Sequence, residues 1–154
     1  PKPFYNELVS LNHKLSQEIS LPKSFFQPED ITPHLFEGVF PDRWMGKTLS
    51  GLIAKPTEHQ TVSFIIKAYV PETWHDYQNR ITLTLDNKQY PVNQLVKAGY
   101  NEILVEPLET PLPDELVFFQ LEAETVCSPD EYDEHSQDTR EVSMLLLAFG
   151  FRSP

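Results

Sequence analysis

Short segments of alternating or wholly apolar residues, most of them followed by a proline, succeed one another from Leu35 to the end of the chain. In RITLTLD, residues 80–86, apolar and polar side chains alternate, which is typical of a strand with one buried face. The 14 prolines keep such segments short, because proline has no amide hydrogen for a sheet or helix. About eight short strands, without α/β alternation, predict an all-β fold: an antiparallel, jelly-roll-like β-sandwich.

Two segments of this region carry more specific predictions. Asp86 and Asn87 tolerate left-handed backbone geometry, so DNKQYPV predicts a hairpin turn at these two residues. The segment EVSMLLLAFGF, residues 141–151, is apolar on both faces. That pattern predicts a central strand that is buried on two sides.

The beginning of the chain has a helical pattern. Apolar residues recur at intervals of three and four, at Leu8, Leu11, Leu15 and Ile19. This spacing places them on one face of an amphipathic helix, which Asn6 caps and Pro22 ends. A single helix of this length is marginal alone, so it either packs on the domain or continues a connector from a preceding domain.

Three prolines in LPKSFFQPEDITPHLF, residues 21–36, indicate a linker that lies along the surface and is anchored by Phe25 and Phe26. The predicted organisation is therefore an N-terminal helix and Pro-rich linker over 1–34, and a β-sandwich domain over 35–154. The chain starts at Pro1 without a methionine, which indicates an excised piece of a longer polypeptide.

Charge and cysteine content exclude several classes of protein. With 23 acidic and 12 basic residues the net charge is −11, which disfavours nucleic acid and anionic membranes as partners. No apolar stretch approaches the roughly 20 residues of a membrane span. A single cysteine, Cys127, excludes an internal disulfide and a cysteine-based metal framework. It fits a reducing compartment, so we expect a cytoplasmic location, with membrane association only through a parent protein.

The usual catalytic signatures are missing from the sequence. The five glycines are scattered, so none forms a phosphate-binding loop, and no Gly-x-Ser-x-Gly element occurs. The five histidines are isolated rather than paired at metal-ligand spacing. We therefore predict no catalytic residues, no cofactor and no histidine-based metal centre in this segment.

The acidic loop SPDEYDEHSQDTRE, residues 128–141, allows two interpretations. Its carboxylates are dense enough to supply oxygen ligands for Ca²⁺, although their order does not match an EF-hand loop. A solvated loop is the alternative. Asp138 and Arg140 stand just before the last strand, where an ion pair between them would fix the re-entry of the loop into the sheet.

The loop VPETWHDYQNR, residues 70–80, is the first candidate for ligand binding. Trp74, His75 and Tyr77 supply flat rings beside hydrogen-bonding groups, an arrangement that suits sugars because a sugar ring stacks on an aromatic face. Trp44 and Asp42 are the second candidates. The alternative is structural: Trp74 covers the edge of the sandwich, and Trp44 fills a strand entrance where Gly46 lets the chain turn beneath the ring.

Three segments occur in order along the chain: GVFPDRWMGKTLS (38–50), KAGYNEILVEPL (97–108) and DTREVSMLLLAFGF (138–151). With them the chain resembles the β-sandwich accessory domains of bacterial glycosyltransferases and related cell-surface polysaccharide biosynthesis proteins. Those domains commonly show Gly-x-x-x-x-(Asp/Glu)-x-Trp-x-Gly near the start and Asp-x-Arg before an apolar closing strand. The matching residues are Gly38, Trp44 and Gly46, with Asp42 one place before the usual acid, and then Asp138 and Arg140.

The resemblance covers residues 36–151 and implies a non-catalytic module, because glycosyl transfer in such proteins belongs to a separate domain. The implied partners are a glycan or polysaccharide acceptor and a neighbouring catalytic domain. Two alternatives stay open. One is a structural or homo-oligomerising domain that associates through its N-terminal helix, and the other is a Ca²⁺-dependent, lectin-like domain.

Overall fold

The structure, a computed structural model, describes residues 23–55, 63–105 and 116–152. The helix predicted over residues 6–19 lies outside the described residues. Within them the chain forms eleven strands and two single 3₁₀ turns, at Pro28–Asp30 and Pro129–Glu131, so the all-β prediction is confirmed. None of the helical turns in this described part is long and apolar enough to cross a membrane.

The strands are, in chain order, β1 (Phe25–Phe26), β2 (Glu37–Val39), β3 (Trp44–Ala54), β4 (Ser63–Val70), β5 (Gln78–Asn79), β6 (Ile81–Leu85), β7 (Lys88–Pro91), β8 (Val96–Lys97), β9 (Gly99–Val105), β10 (Leu116–Ala123) and β11 (Met144–Arg152). Every pairing between these strands is antiparallel. Nine of them form one sheet in the order β7-β6-β10-β3-β11-β4-β9, with β1 beside β11 and β2 beside β3. Strands β5 and β8 form a separate pair.

The sheet curls because β3 changes partners along its length. Its residues 48–54 pair with β10, whereas only Trp44 and Met45 pair with β11. The two halves of the sheet therefore turn their inner faces toward each other. Phe119 of β10 and Phe149 of β11 belong to strands that are not paired, yet their ring centroids lie 5.3 Å apart. The core fills the space between the halves.

The strand β6 and its hairpin follow the sequence pattern. Ile81, Leu83 and Leu85 are fully buried, while the threonines between them are half-buried. Asp86 and Asn87 form the two-residue turn to β7, and both have positive φ angles, 45° and 70°. Such a turn matches the right-handed twist of the flanking strands. The predicted hairpin is therefore confirmed.

The last strand, β11, occupies the centre of the sheet between β3 and β4, as its sequence predicts. Its inward-facing side chains are buried; they are Met144, Leu146, Phe149 and Phe151. A β-bulge between Leu146 and Ala148 shifts the register with β4. On the outer side Ala148 and Gly150 are buried, whereas Leu145 and Leu147 are only half-buried. The predicted burial therefore holds fully for the inner face and in part for the outer face.

Residues 23–34, part of the predicted linker, are built into the sheet. Phe25 and Phe26 form β1 and pair with β11. Phe26 and Ile31 are buried in the core, with Phe26 packed edge-on against Phe36 at 4.8 Å between ring centroids. The two predicted anchors thus contact the sheet as a short strand, despite the prolines around them.

Candidate functional site

A column of three stacked aromatic rings stands where β3 begins. Trp74 lies in the middle, 5.5 Å from Trp44 on one side and 4.7 Å from Tyr132 on the other, between ring centroids. The interplanar angles are 27° and 15°, so both faces of the Trp74 ring are covered. Trp74 is only 3% exposed, whereas Trp44 and Tyr132 are half-buried.

Two consecutive turns place Trp74 inside this column. Pro71 ends β4, and the Trp74 amide then donates a hydrogen bond to the Pro71 carbonyl at 3.0 Å. The Tyr77 amide donates in turn to the Trp74 carbonyl at 3.0 Å. His75 lies within the second turn and is exposed, while the Trp74 and Tyr77 side chains are buried in the core.

Tyr77 links this loop to the segment that enters β11. Its side chain is 5% exposed, and its hydroxyl donates a hydrogen bond to the Ser143 carbonyl. The Asn79 side-chain amide donates to the Tyr77 hydroxyl at 2.8 Å and to the Thr125 carbonyl at 2.9 Å. Burial raises the pKa of Tyr77 well above its usual value, so the phenol stays neutral and keeps its hydrogen to donate.

The burial of two predicted aromatic residues bears on the ligand-binding prediction. Trp74 and Tyr77 were predicted as an open aromatic platform, but their ring faces are occupied by protein groups in this conformation. The physical reason is that Tyr132, from the acidic loop, folds back over Trp74. Of the predicted aromatic residues, Trp44 keeps partial exposure, and His75 lies exposed beside the column.

A second cluster joins the two motifs on which the family resemblance rests. The Arg140 guanidinium donates to both carboxylate oxygens of Asp42, at 3.0 and 2.8 Å. It also donates to Asp138 through Nε and Nη2, at 3.0 and 2.8 Å. The Phe40 ring centroid lies 4.6 Å from the guanidinium carbon, within cation–π range. The predicted Asp138–Arg140 pair is thus present, and the Asp42 carboxylate is engaged by Arg140.

Arg140 governs the acid dependence of this cluster. Its hydrogen bonds hold the pKa of Asp42 and of Asp138 below their usual range. A lowered folded-state pKa stabilises the fold above the unfolded value of about 4, and this stabilisation is lost as pH falls through the folded values. The side chains are partly solvated, at 32% exposure for Arg140 and 53% for Asp42, so the contribution is about 1 kcal/mol.

We expect Arg140→Gln to lower the free energy of unfolding by about 1 kcal/mol above pH 5 and by progressively less below pH 4. The measurement is urea unfolding of both proteins between pH 2.5 and 7. Arg80→Gln is the matched control, since Arg80 and Glu124 approach only to 3.9 Å on an exposed surface. A difference between wild type and Arg140→Gln that persists unchanged at pH 2.5 would contradict this role of the two carboxylates.

The glycines of the first motif play different roles from each other. Gly38 has a φ of +92°, which only glycine adopts readily. Gly46 lies within β3 and does not have a positive φ, so the predicted turn at Gly46 beneath the tryptophan is wrong. The turn is made instead by residues 40–44, where Arg43 has a φ of +71° and its amide donates to the Phe40 carbonyl at 2.8 Å.

Two residues of this region were not singled out in the sequence: Tyr132 and Ser143. The Ser143 hydroxyl donates to the Gly46 carbonyl at 2.7 Å, which ties the start of β11 to β3. Tyr132 was the one aromatic residue in an otherwise polar loop, and that contrast was the available signal. Together these contacts fasten the 124–143 connection onto the sheet, which is a structural role.

A separate depression of about 370 Å³ lies on the outer face of the half formed by β1, β11, β4 and β9. It is lined by Phe25, Ile65, Lys67, Glu102, Phe151 and Arg152. Lys67 and Glu102 are directly opposed in the β4–β9 register, and Arg152 ends β11. Within the described part of the chain neither Lys67 nor Arg152 forms an ion pair.

The depression thus combines one isoleucine and two phenylalanines with two cations and one carboxylate. No pattern along the sequence indicated it, because its residues come from four different strands. As for metals, no group of three or more His, Cys, Asp or Glu side chains among residues 23–55, 63–105 and 116–152 is arranged to hold an ion. That range includes the whole of the acidic loop.

No protein-family profile and no curated protein matches the chain. Among solved structures, the chain is similar to a family GH115 4-O-methyl-α-glucuronidase with specificity for decorated arabinogalactans, at a TM-score of 0.43 and 10% sequence identity. The match covers 84% of this chain and 17% of that one. A similarity at this level indicates neither a shared activity nor a shared substrate.

Proposed function

We propose that this chain is a non-catalytic accessory module of a bacterial glycosyltransferase-type protein, and that it recognises an acidic glycan acceptor in the depression on β1, β4, β9 and β11. In this proposal the curled sheet is a jelly-roll-like sandwich, the N-terminal segment forms an amphipathic helix, and catalysis belongs to a neighbouring domain. The motif resemblance of residues 36–151 supports the biosynthetic setting.

The observation that carries the binding proposal is the chemistry of the depression. Its volume of about 370 Å³ falls in the range of roughly 300–1,000 Å³ that is usual for ligand pockets. Phe25 and Ile65 supply apolar contact for the C–H face of a sugar ring. Lys67 and Arg152 supply hydrogen-bond donors and positive charge, and Glu102 supplies an acceptor for hydroxyl groups.

Two cations that form no ion pair with the described residues favour an acidic sugar over a neutral one. The protein carries a net charge of −11. Lys67 and Arg152 form no ion pair with the described residues, so they add positive charge to the depression of an otherwise acidic protein. A guanidinium and an ammonium group both form charge-assisted hydrogen bonds with a carboxylate. The depression is therefore suited to a uronic acid, whose ring and carboxylate match its apolar and cationic side chains.

The binding prediction is tested by isothermal titration calorimetry of the full chain with trigalacturonate. The fully methyl-esterified trisaccharide serves as a ligand control, because it keeps the rings and loses the charge. Lys67→Gln and Arg152→Gln should each weaken trigalacturonate binding by about tenfold, the expected effect of losing one charge-assisted hydrogen bond. Lys47→Gln, which removes an exposed cation from β3, should leave the affinity unchanged.

Two results would contradict the proposal. One is the absence of binding to trigalacturonate at millimolar concentration, which would favour the alternative of a structural module without a ligand. The other is equal weakening by Lys47→Gln and Lys67→Gln, which would show that the charge of the whole surface, and not the depression, attracts the ligand.

A further inference from the structure

The outer face of the other half of the sheet carries an apolar patch. Six large hydrophobic side chains are exposed among the described residues, and four of them lie on or beside β3 and β10: Leu35 at 51%, Leu52 at 54%, Leu116 at 46% and Phe118 at 48%. Phe118 and Leu52 are directly opposed in the β10–β3 register. Leu35 belongs to the turn before β2, and its carbonyl lies near Gly51 on the inner side of β3. We call the three side chains on the strands, Leu52, Leu116 and Phe118, the β3–β10 patch.

The described chain begins at the rim of this patch. The Ala54 amide donates a hydrogen bond to the Lys23 carbonyl at 3.1 Å, and Ala54 is opposed to Leu116 in the β10–β3 register. Residues 1–22 precede Lys23 and lie outside the described residues. Lys23 therefore lies one strand spacing, about 4.8 Å, from Ala54 on the edge of β3 that faces away from β10, and two spacings from the patch residue Leu116.

A helix over residues 6–19 would have an apolar face that could pack on the β3–β10 patch. Leu8, Leu11, Leu15 and Ile19 fall within one side of this helix. Ile19 is four residues from Lys23, and four residues span at most about 14 Å, so the C-terminal end of such a helix stays near the patch. Two turns of helix cover about 11 Å, which matches three neighbouring strands at about 4.8 Å spacing.

We infer that residues 6–19 form a helix that lies across the β3–β10 patch of the same chain, with Leu11 and Leu15 against Leu52 and Phe118. Exposed apolar patches of this kind mark interaction surfaces. The covalent connection at Lys23 holds the segment at a high effective concentration beside the patch, which favours this segment over a second copy. Docking covers an apolar surface that the fold otherwise leaves in water, and it fixes the direction in which the chain enters the module.

The inference is tested with a double-mutant cycle in the full chain. Leu11→Ser/Leu15→Ser alters the segment, and Phe118→Thr removes the aromatic ring from the patch while placing a residue of high strand propensity there. Each variant should lower the melting temperature by about 3–6 °C, and their combination should lower it by no more than either alone. Amide hydrogen exchange should also show protection of residues 8–19 in the wild type and its loss in Phe118→Thr.

Two matched controls separate docking from general effects. Gln17→Ser changes the opposite side of the predicted helix and should leave the melting temperature within about 1 °C. Leu104→Thr removes an apolar side chain that is 36% exposed on β9, on the other outer face. Its effect should add to that of the segment variant, and it should leave residues 8–19 protected.

The inference is overturned by additive effects of the segment and patch variants together with unprotected residues 8–19. It is also overturned if light scattering finds a dimer whose dissociation on dilution removes the protection. In that case the patch is covered by the helix of a second copy. Glycan binding at the depression is independent of this test, because the two surfaces lie on opposite halves of the sheet.

Discussion

Replacement of Trp74 by alanine is expected to lower the free energy of unfolding by roughly 3–5 kcal/mol, the usual cost of truncating a large buried aromatic residue. The ring is 3% exposed and is stacked between Trp44 and Tyr132. Removal of the ring opens a cavity, and Trp44 or Tyr132 could fill it only by moving away from its present contacts. It also releases Tyr132, so the acidic loop loses one of its attachments to the sheet.

Urea unfolding measures this effect, and His75→Ala is its matched control. His75 follows Trp74 in the same loop and is exposed, so its replacement should change the free energy of unfolding by no more than about 0.5 kcal/mol. A Trp74→Ala protein with wild-type stability and no trigalacturonate binding would contradict the structural role. It would restore the open aromatic platform that the sequence suggested.

Gly38→Ala is expected to lower the free energy of unfolding by about 4 kcal/mol or more, or to prevent folding. A Cβ atom at this position would lie 1.7 Å from the Thr48 carbonyl oxygen, far inside contact distance, and both residues lie within the paired strands β2 and β3. The φ of +92° adds strain for any residue with a side chain. Relief of the overlap requires β2 to move away from β3, which disrupts the packing of Phe36 and Val39 in the core.

Gly99→Ala separates backbone strain from steric overlap, the two causes of the expected loss of stability in Gly38→Ala. Gly99 has a similar φ of +96°, but a Cβ there meets nothing within 4 Å. It should therefore cost only the backbone strain, roughly 1–3 kcal/mol, when thermal or urea unfolding of the two variants is compared. Equal losses for Gly38→Ala and Gly99→Ala would show that the close approach of β2 to β3 is not a strict requirement of the fold.

The elements that could be predicted from the sequence are those determined by local physics. The alternation in β6 and the turn at Asp86 and Asn87 each depend on neighbouring residues only, and both appear as predicted. The Asp138–Arg140 pair is also local, because the two residues stand two positions apart. Backbone preferences and the attraction between nearby charges were therefore sufficient to predict these features.

The features that could not be predicted depend on contacts between distant parts of the chain. Asp42 and Arg140 are 98 positions apart, and only the antiparallel pairing of β3 with β11 brings their segments together. The burial of Trp74 depends on Tyr132, which arrives from a loop that follows a different strand. An aromatic residue in a polar loop has the same local pattern whether it faces solvent or another ring.

The depression also depends on contacts between distant parts of the chain, so it could not be predicted from the sequence. Its cations, Lys67 and Arg152, occupy strands that otherwise have apolar character, and neither has a neighbour in sequence that suggests a ligand. Their proximity arises from the central position of β11 beside β4. A single sequence carries no local signal for such an arrangement.

The central claim is that an acidic glycan binds in the depression and not at the aromatic column. Its most direct test is an NMR titration of the full, isotopically labelled chain with trigalacturonate. Our account predicts that amide shifts will concentrate at Lys67, Glu102 and Arg152, and that the indole signals of Trp44 and Trp74 will not move. Shifts confined to the two indoles, with the β4–β9–β11 amides unchanged, would contradict it.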